Sequence, residues 1–432
     1  MDDYSKVPGF IPGVTRKLLP PTFPRQMQIY SRSKAMQLLL KFFGRLKSIA
    51  NIPIQLNSYD QVLEFSRQFT SSQQTCVLSR SILQLAYLPS CDHSHFVTES
   101  IRQFVQPPVL LPKSPLLHRE AEQAMLDRYI LACSNKMCDI FQITGHNCAR
   151  QRERLGMEFE LMAHLQEEAD KVDSHFHMMI VQMEPERCHV ACFGSYVLYH
   201  ALLLMEQYLL IHFKLELYSV HEYATAYWYL YEVVYKWLIN VLTRVDGFML
   251  DQENYLNQHA KSKADKNRKT KRRKVQLHRN QITRYHVYQK LCEAYYKCMI
   301  ALYIDKRISV PTYANDPRFH SIRYEQRMAP FACLSTPSYV SYQIYLNLSG
   351  FEEIVANYSA EQIYNDASCD FDQAKTAFEA MKTELNVNNL AKVCKHNAVV
   401  MRLLGSGHKK ENKTQPDMDF SLHSNFPTIQ LK

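Results

Sequence analysis

The sequence predicts an all-α protein, an irregular helical bundle or solenoid with proline-rich extended arms and one disordered basic loop. Only 10 of its 432 residues are glycine, about a third of the roughly 7% that is usual. Folds that bind nucleotides or acetyl-CoA depend on glycine for phosphate loops and tight turns. Apolar residues also recur at spacings of three and four over long segments. No internal repeat of fixed period is visible, so we do not expect a regular tetratricopeptide array.

Residues 1–30 are predicted to form an extended strap. Five prolines fall within the first 25 residues, and proline fixes φ and pushes the preceding residue towards extended geometry. Apolar residues such as Phe10, Ile11 and Leu18 favour an arm that lies across another surface over a free linker. Residues 31–116 are expected to form a small helical layer, with a capping box at Ser58-x-x-Gln61 and a second proline cluster near its end.

The strongest helical pattern lies in residues 117–258, where we predict a bundle of long helices. Two nearly all-apolar helices are expected at about 190–213 and 217–244. Within the first helix, the longest stretch with only one polar interruption has 16 residues. This is fewer than the roughly 20 that a bilayer requires, so the helix is interpreted as part of the core. Before these two helices, one apolar stripe on a long helix is formed by Met162, Leu165, Ala169, Val172, Phe176, Met179 and Met183.

Residues 281–405 are predicted to form a C-terminal helical region. Helices are expected at about 281–303, 361–381 and 388–404, and Ser359-x-x-Gln362 fits a capping box. Prolines are expected to interrupt helical structure between 310 and 337, with residues 323–331 as an island. Gly405 is expected to end the last helix in the left-handed conformation. Residues 406–432 are predicted to be a polar tail.

The net charge of +9 is concentrated in one segment. Nine basic residues and one acid, Asp265, lie between positions 261 and 274, which leaves the remainder near +1 and argues against a DNA-binding domain. Residues 259–280 are therefore predicted to form a disordered loop. It is either a solvated linker or an arm that attracts phosphate weakly, without base recognition, since it lacks aromatic residues. The candidate ribosome or RNA contacts are Lys261, Lys263, Lys266, Arg268, Lys269, Lys271, Arg272, Arg273 and Lys274.

No complete catalytic, cofactor or metal site is predicted. The string Arg402-Leu-Leu-Gly-Ser-Gly407 matches the coenzyme-binding loop of GNAT acetyltransferases, but a helical pattern precedes it and no helix follows it. Chance is the favoured origin, and a free-standing acetyltransferase remains a rival. Two candidate metal sites are disfavoured because their ligands face different sides of a helix or lack a second pair; the residues are Asp173, His175, His177, Cys188, His189 and Cys192. A third candidate, Asp92-His-Ser-His95 beside Cys91, is interpreted as a solvated loop.

Two further features of the central region are predicted to belong to the core. His200 lies inside an apolar helix, which is typical of a core histidine with a hydrogen-bond partner. Eight aromatic residues crowd positions 218–237. Their packing between helices is favoured, with a partner-binding face as the alternative.

Several long segments carry a resemblance to a known family. They include Glu-Pro-Glu-Arg-Cys-His at 184–189 and Arg-Tyr-Glu-Gln-Arg-Met-Ala-Pro-Phe at 323–331, and the others are 145–156, 199–202, 214–223, 223–231, 408–413 and 419–423. Together they resemble the large auxiliary subunit of NatC, an N-terminal acetyltransferase complex. The likeness extends over nearly the whole chain, which corresponds to the C-terminal part of a full subunit and lacks the family's N-terminal region.

The resemblance implies a helical, cytoplasmic scaffold that is not itself an enzyme. It implies a GNAT-type catalytic subunit and a small Sm-like subunit as partners, and acetylation of nascent chains that begin with Met followed by a bulky hydrophobic residue. A cytoplasmic location also agrees with twelve scattered cysteines and with an N-terminus that lacks a signal-peptide pattern. The alternative from another class is an RNA- or ribosome-binding helical protein that acts through the basic loop.

Overall fold

A computed structural model of the chain describes residues 148–181, 190–215, 217–259, 277–308, 318–381, 387–407 and 413–431, and a few positions between 31 and 128. This part of the chain is built from helices, which confirms the all-α class. The α-helices are α1 Cys148–Val181, α2 Phe193–Lys214, α3 Tyr223–Trp228, α4 Lys236–His259, α5 Arg279–Ile304, α6 Phe319–Met328, α7 Tyr342–Ser349, α8 Phe351–Asn357, α9 Ala360–Ala380 and α10 Val387–Gly405.

Shorter elements connect these helices. Two short stretches of 3₁₀-helix cover Val220–Glu222 and Ala329–Cys333, and a π-helical segment covers Tyr229–Tyr235. Two antiparallel pairs of strands are present, β1 Val105–Gln106 with β2 Val190–Ala191, and β3 Asp417–Asp419 with β4 Thr428–Gln430. The strap at 1–30, most of the predicted layer at 31–116 and the basic run at 261–274 lie outside the described residues.

Helix α1 has the predicted apolar stripe. Met162, Leu165 and Ala169 are buried, together with Phe159 one turn earlier, while the charged residues 167, 168, 170 and 171 are exposed. Because residues three and four apart share a face, this stripe turns one side of α1 to the core. The C-terminal part of the stripe, from residue 176 onwards, lies where side chains are not described.

Helix α2 is buried over most of its surface and begins against α1. The two carboxylate oxygens of Asp173 accept the backbone N–H groups of Phe193 and Gly194, at 2.9 and 2.8 Å, and so satisfy donors that a helix start leaves open. Gly194 permits this contact, since a Cβ atom there would lie 2.3 Å from an Asp170 oxygen. Asp173 therefore caps a helix. None of the described helices is long and apolar enough to cross a membrane.

The aromatic segment continues from α3 through the π-helical segment into α4, and it forms the centre of the core. Tyr227, Trp228 and Tyr235 are buried completely. The ring of Tyr227 stacks between Phe213 and Tyr295, at centroid distances of 4.8 and 4.6 Å. The predicted core packing is confirmed for five of the eight aromatics, whereas Tyr223, Tyr231 and Trp237 are partly buried at the edge of the core.

Helices α5, α9 and α10 pack together beside this centre, and α9 starts with the predicted capping box. The Ser359 hydroxyl accepts the N–H of Gln362 at 3.3 Å, and the Gln362 side chain accepts the N–H of Ser359 at 2.9 Å. Lys297 of α5 reaches Asp370 of α9 at 2.6 Å. Since Asp370 is 5% exposed, this ion pair ties the two helices at a site with little competing water.

The predicted polar tail is wrong for residues 417–431. Phe426 is buried among the rings of Tyr227, Tyr288 and Tyr295. Ile429 of β4 is buried beside α10, and β4 pairs with β3. Asn397 of α10 accepts the backbone N–H of Ile429 at 2.9 Å, which helps a short apolar motif in a polar segment to dock. The average polarity of the segment predicts a tail, but these two apolar side chains anchor it in the core.

Two other expectations are corrected. Gly405 is the last residue of α10 and packs closely on Asn365, where a Cβ atom would lie 2.5 Å from the amide oxygen. The left-handed conformation belongs to Gly407, at φ 84°. In the proline-containing stretch from 310 to 337, α6 forms a regular helix, and α7 and α8 follow it in a region where no helix was predicted.

Candidate functional site

A groove forms where two segments that are distant in sequence meet. Residues 217–222 precede α3, and α6 lies across them. Arg323 and Arg327 of α6 are four positions apart and therefore share one helix face, and both reach the carboxylate of Glu222, at 3.2 and 3.0 Å. Both segments belong to those that carry the family resemblance. We call this site the Glu222 groove.

A hydrogen bond within the turn holds Glu222 in place, in addition to its ion pairs with the two arginines. Glu222 closes a capping box with Ser219, whose backbone N–H donates to Oε2 at 2.8 Å. Arg327 then donates Nη2–H to the carbonyl of Leu217 at 2.7 Å, and its guanidinium lies 5.6 Å from the centre of the Tyr218 ring. Charge-assisted hydrogen bonds of this kind are stronger than neutral ones, so the turn and α6 are held together firmly.

The walls of the groove are aromatic and apolar. Its cavity volume is about 190 Å³, below the roughly 300–1,000 Å³ of small-molecule sites. The Tyr218 hydroxyl is buried in the wall and has no hydrogen-bond partner among the described residues. Other contributors are Phe319, Tyr324, Tyr342, Tyr345, Leu346 and Phe351.

The rim of the groove carries positive charge. Arg323 and Arg327 face a single carboxylate, and His221 and His320 lie in the same lining. Burial lowers the pKa of His221, and the neighbouring His320 and Arg323 lower it further, against the effect of Glu222. His221 is therefore neutral near pH 7, and the positive charge comes from the two arginines. The groove therefore suits a ligand that combines a bulky apolar group with negative charge.

The structure gives no support to the predicted rival sites for which it describes residues. Arg402 lies on α10, 3.5 Å from Asp372, and Gly407 lies in the turn that follows, so the coenzyme-like string does not join a strand to a helix. Among the described residues, no group of three His, Cys, Asp or Glu side chains is placed to hold a metal ion. Cys192 is buried, which raises the pKa of its thiol to about 12.

The other predicted residues have different outcomes. His200 is buried, and burial lowers its pKa to about 3, as expected for a neutral core histidine. Cys188, His189 and the nine basic residues from Lys261 to Lys274 lie outside the described part of the chain, so the predicted ribosome contact stays a prediction. The groove was not predicted, although Ser219-x-x-Glu222 and the four-residue spacing of Arg323 and Arg327 are visible in the sequence.

The chain is similar in sequence to the proteins of one known family. A profile of the family described as NAA35-like, TPR repeats, matches residues 49–429. The human protein N-alpha-acetyltransferase 35, NatC auxiliary subunit, is 39% identical over 437 residues, which cover 99% of this chain and 60% of the human protein. A Drosophila melanogaster homolog of that subunit is 34% identical over 456 residues, 98% of this chain and 57% of its own length. The chain thus spans about 60% of the length of these curated relatives.

Solved structures show the same fold. A chain in the crystal structure of the apo NatC complex matches with a TM-score of 0.64 and 14% identity, over 95% of this chain and 61% of that chain. A chain of the NatC complex bound to Arl3 peptide and CoA matches with a TM-score of 0.62 and 15% identity, over 91% and 58%. The family description names TPR repeats, whereas the α-helices described in this chain vary in length from 6 to 34 residues.

Proposed function

We infer the function of this chain from its family: the chain belongs to the NAA35-like family of TPR-repeat proteins. We propose that it is the non-catalytic auxiliary subunit of a NatC-type N-terminal acetyltransferase. The single observation that carries this proposal is the likeness to NatC auxiliary subunits over 99% of the chain. In this role it supports co-translational acetylation of chains that begin with Met followed by a bulky hydrophobic residue.

The arrangement of the helices suits a scaffold. The aromatic centre connects α2, α3, α4 and α5, and the C-terminal hairpin closes on α10. Close-packed protein interiors have low compressibility, so this core holds the helices at fixed relative positions. A frame of this kind fixes the relative positions of bound subunits and needs no reaction centre of its own.

The partners proposed are a separate GNAT-type catalytic subunit and a small Sm-like subunit, in the cytoplasm. The test is co-expression of this chain with a GNAT catalytic subunit of its own organism, followed by purification through a tag on the catalytic subunit. We expect a stable complex that acetylates a Met-Leu peptide faster than the catalytic subunit does alone. The absence of co-purification, or unchanged activity in a purified complex, contradicts the proposal. Acetylation by this chain without a partner contradicts the non-catalytic role.

We further propose that the basic run from Lys261 to Lys274 is a ribosome-facing arm. Nine basic residues in 14 positions attract phosphate in a salt-dependent way. Replacing all nine with Ser or Gln is expected to abolish co-sedimentation with ribosomes at low salt and to leave the complex with the catalytic subunit intact. The control for general charge loss replaces nine exposed basic residues outside the run: Arg154, Lys171, Lys236, Arg279, Lys306, Arg318, Lys392, Lys395 and Arg402. If ribosome binding survives, the arm does not mediate it, and if the complex falls apart, the arm belongs to the scaffold.

A further inference from the structure

The Glu222 groove has the features of a recognition site for a peptide segment. It joins an apolar cavity to a positively charged rim, and its cavity of about 190 Å³ accommodates one large side chain and is below the size of drug-like ligands. Tyr303 in its lining is 48% exposed, so this side of the groove is open to solvent.

Charge indicates which segment fits. Within the described residues, Arg323 makes one ion pair, to Glu222 at 3.2 Å, and lies 5.3 Å from the centre of the Phe319 ring. A guanidinium has five N–H donors in a planar fork that matches a carboxylate, so Arg323 retains donors for a second carboxylate. Arg327 is already committed to Glu222 and to the carbonyl of Leu217. Arg323 is thus the residue that an acidic ligand would contact.

The Tyr218 side chain forms part of the groove wall. Its hydroxyl is shielded from solvent and has no hydrogen-bond partner in the described part of the chain, so it offers no polar contact to a ligand in the groove.

We propose that the Glu222 groove binds an acidic segment of a partner protein, with one large apolar side chain in the cavity and a neighbouring carboxylate on Arg323. The inference rests on the proposed auxiliary role only in expecting a protein partner. Peptides bound in this way are anchored by a few residues, typically an aromatic or aliphatic side chain in a pocket.

The test uses the full-length chain and a fluorescein-labelled peptide, Gly-Ser-Asp-Glu-Phe-Asp-Glu-Ser-Gly, in fluorescence anisotropy at low salt. We expect saturable binding that weakens at least about tenfold in Arg323→Glu, equivalent to about 1.4 kcal/mol. Ala224→Leu, which narrows the groove from the α3 side, is expected to weaken binding without a change of charge. Lys392→Glu, an exposed residue of α10, is the matched control and should bind as the unmodified chain does.

Circular dichroism melting checks that each variant is folded. Equal binding of a peptide in which Lys replaces the acids, or Ala replaces Phe, overturns the proposal, as does binding that Arg323→Glu leaves unchanged. Self-association that depends on Arg323 in sedimentation velocity means that a second copy occupies the groove, which also overturns it. Co-purification with the catalytic subunit is measured separately, so peptide binding without a complex refutes the auxiliary role and leaves the groove assignment in place.

Discussion

Asn397 is predicted to be the polar side chain on which docking of the C-terminal hairpin depends. It is fully buried on α10. Its Nδ2 donates to the Tyr295 hydroxyl and to the Pro427 carbonyl, both at 3.0 Å, and its Oδ1 accepts the N–H of Ile429 at 2.9 Å. One side chain thus connects α5, α10 and β4.

The expected loss in the free energy of unfolding follows from the hydrogen bonds that Asn397→Ala removes. Pro427 keeps a hydrogen bond, because the Tyr295 hydroxyl donates to its carbonyl at 2.6 Å. The N–H of Ile429 loses its acceptor inside the core, which costs about 1–3 kcal/mol, and each other lost hydrogen bond costs about 1 kcal/mol. We expect the free energy of unfolding to fall by about 3–5 kcal/mol.

The assay is urea unfolding followed by circular dichroism at 222 nm, together with limited proteolysis of the C-terminus. Lys395→Ala, an exposed change on the same helix, is the control and should fall within about 0.5 kcal/mol of the unmodified chain. Asn397→Asp keeps the acceptor for Ile429 but loses both donated hydrogen bonds and buries a charge, so it should be at least as harmful at pH 7. A loss below about 1 kcal/mol for Asn397→Ala would refute the reasoning.

Four further predictions follow from other parts of the structure. Phe426→Ala should cost about 3–5 kcal/mol in the same urea assay, since a fully buried phenylalanine is removed; a cost within the error of a surface change contradicts docking of the hairpin. His200 has a pKa of about 3 when folded and 6.5 ordinarily, so its contribution to stability is present above pH 6.5 and is lost as the pH falls towards 3. His200→Leu should therefore flatten the loss of stability between pH 6.5 and 4, and an unchanged slope counts against a neutral core histidine. Arg327→Ala should lower the melting temperature and expose the turn at Glu222 to proteolysis, at a cost of about 1–3 kcal/mol, and Arg327→Lys should recover only part of this loss. Gly194→Ala should cost about 1–2 kcal/mol in urea unfolding, because its Cβ atom meets a carboxylate at 2.3 Å; a neutral result means that α1 shifts freely.

Periodicity made the long helices predictable. The spacing of Met162, Leu165 and Ala169 identified the buried face of α1, and Ser359 with Gln362 marked the start of α9 correctly. These features depend on residues within one or two turns of each other. The scarcity of glycine supported the helical class for the same local reason.

The Glu222 groove could be predicted only in part. Capping of the turn by Glu222 is local, and the shared face of Arg323 and Arg327 follows from helix geometry. Their meeting is an interaction between positions about 100 residues apart, and a single sequence carries no direct signal of it. The orphaned hydroxyl of Tyr218 likewise depends on which elements surround it.

The C-terminal segment shows the same limit. Its average polarity predicted a tail, whereas Phe426 and Ile429 insert into the core and Asn397 receives the Ile429 N–H. Burial of two side chains outweighs the polarity of their neighbours once a matching surface exists, and only the fold creates that surface.

The sequence alone determined the helical class and the long amphipathic and buried helices, because residues three and four positions apart share one helix face. It also carried the family likeness. The tertiary structure decided that Asp173 caps α2, that Gly405 packs on Asn365 and that α6 joins the turn at Glu222. Each of these depends on distance in space between residues that lie far apart along the chain.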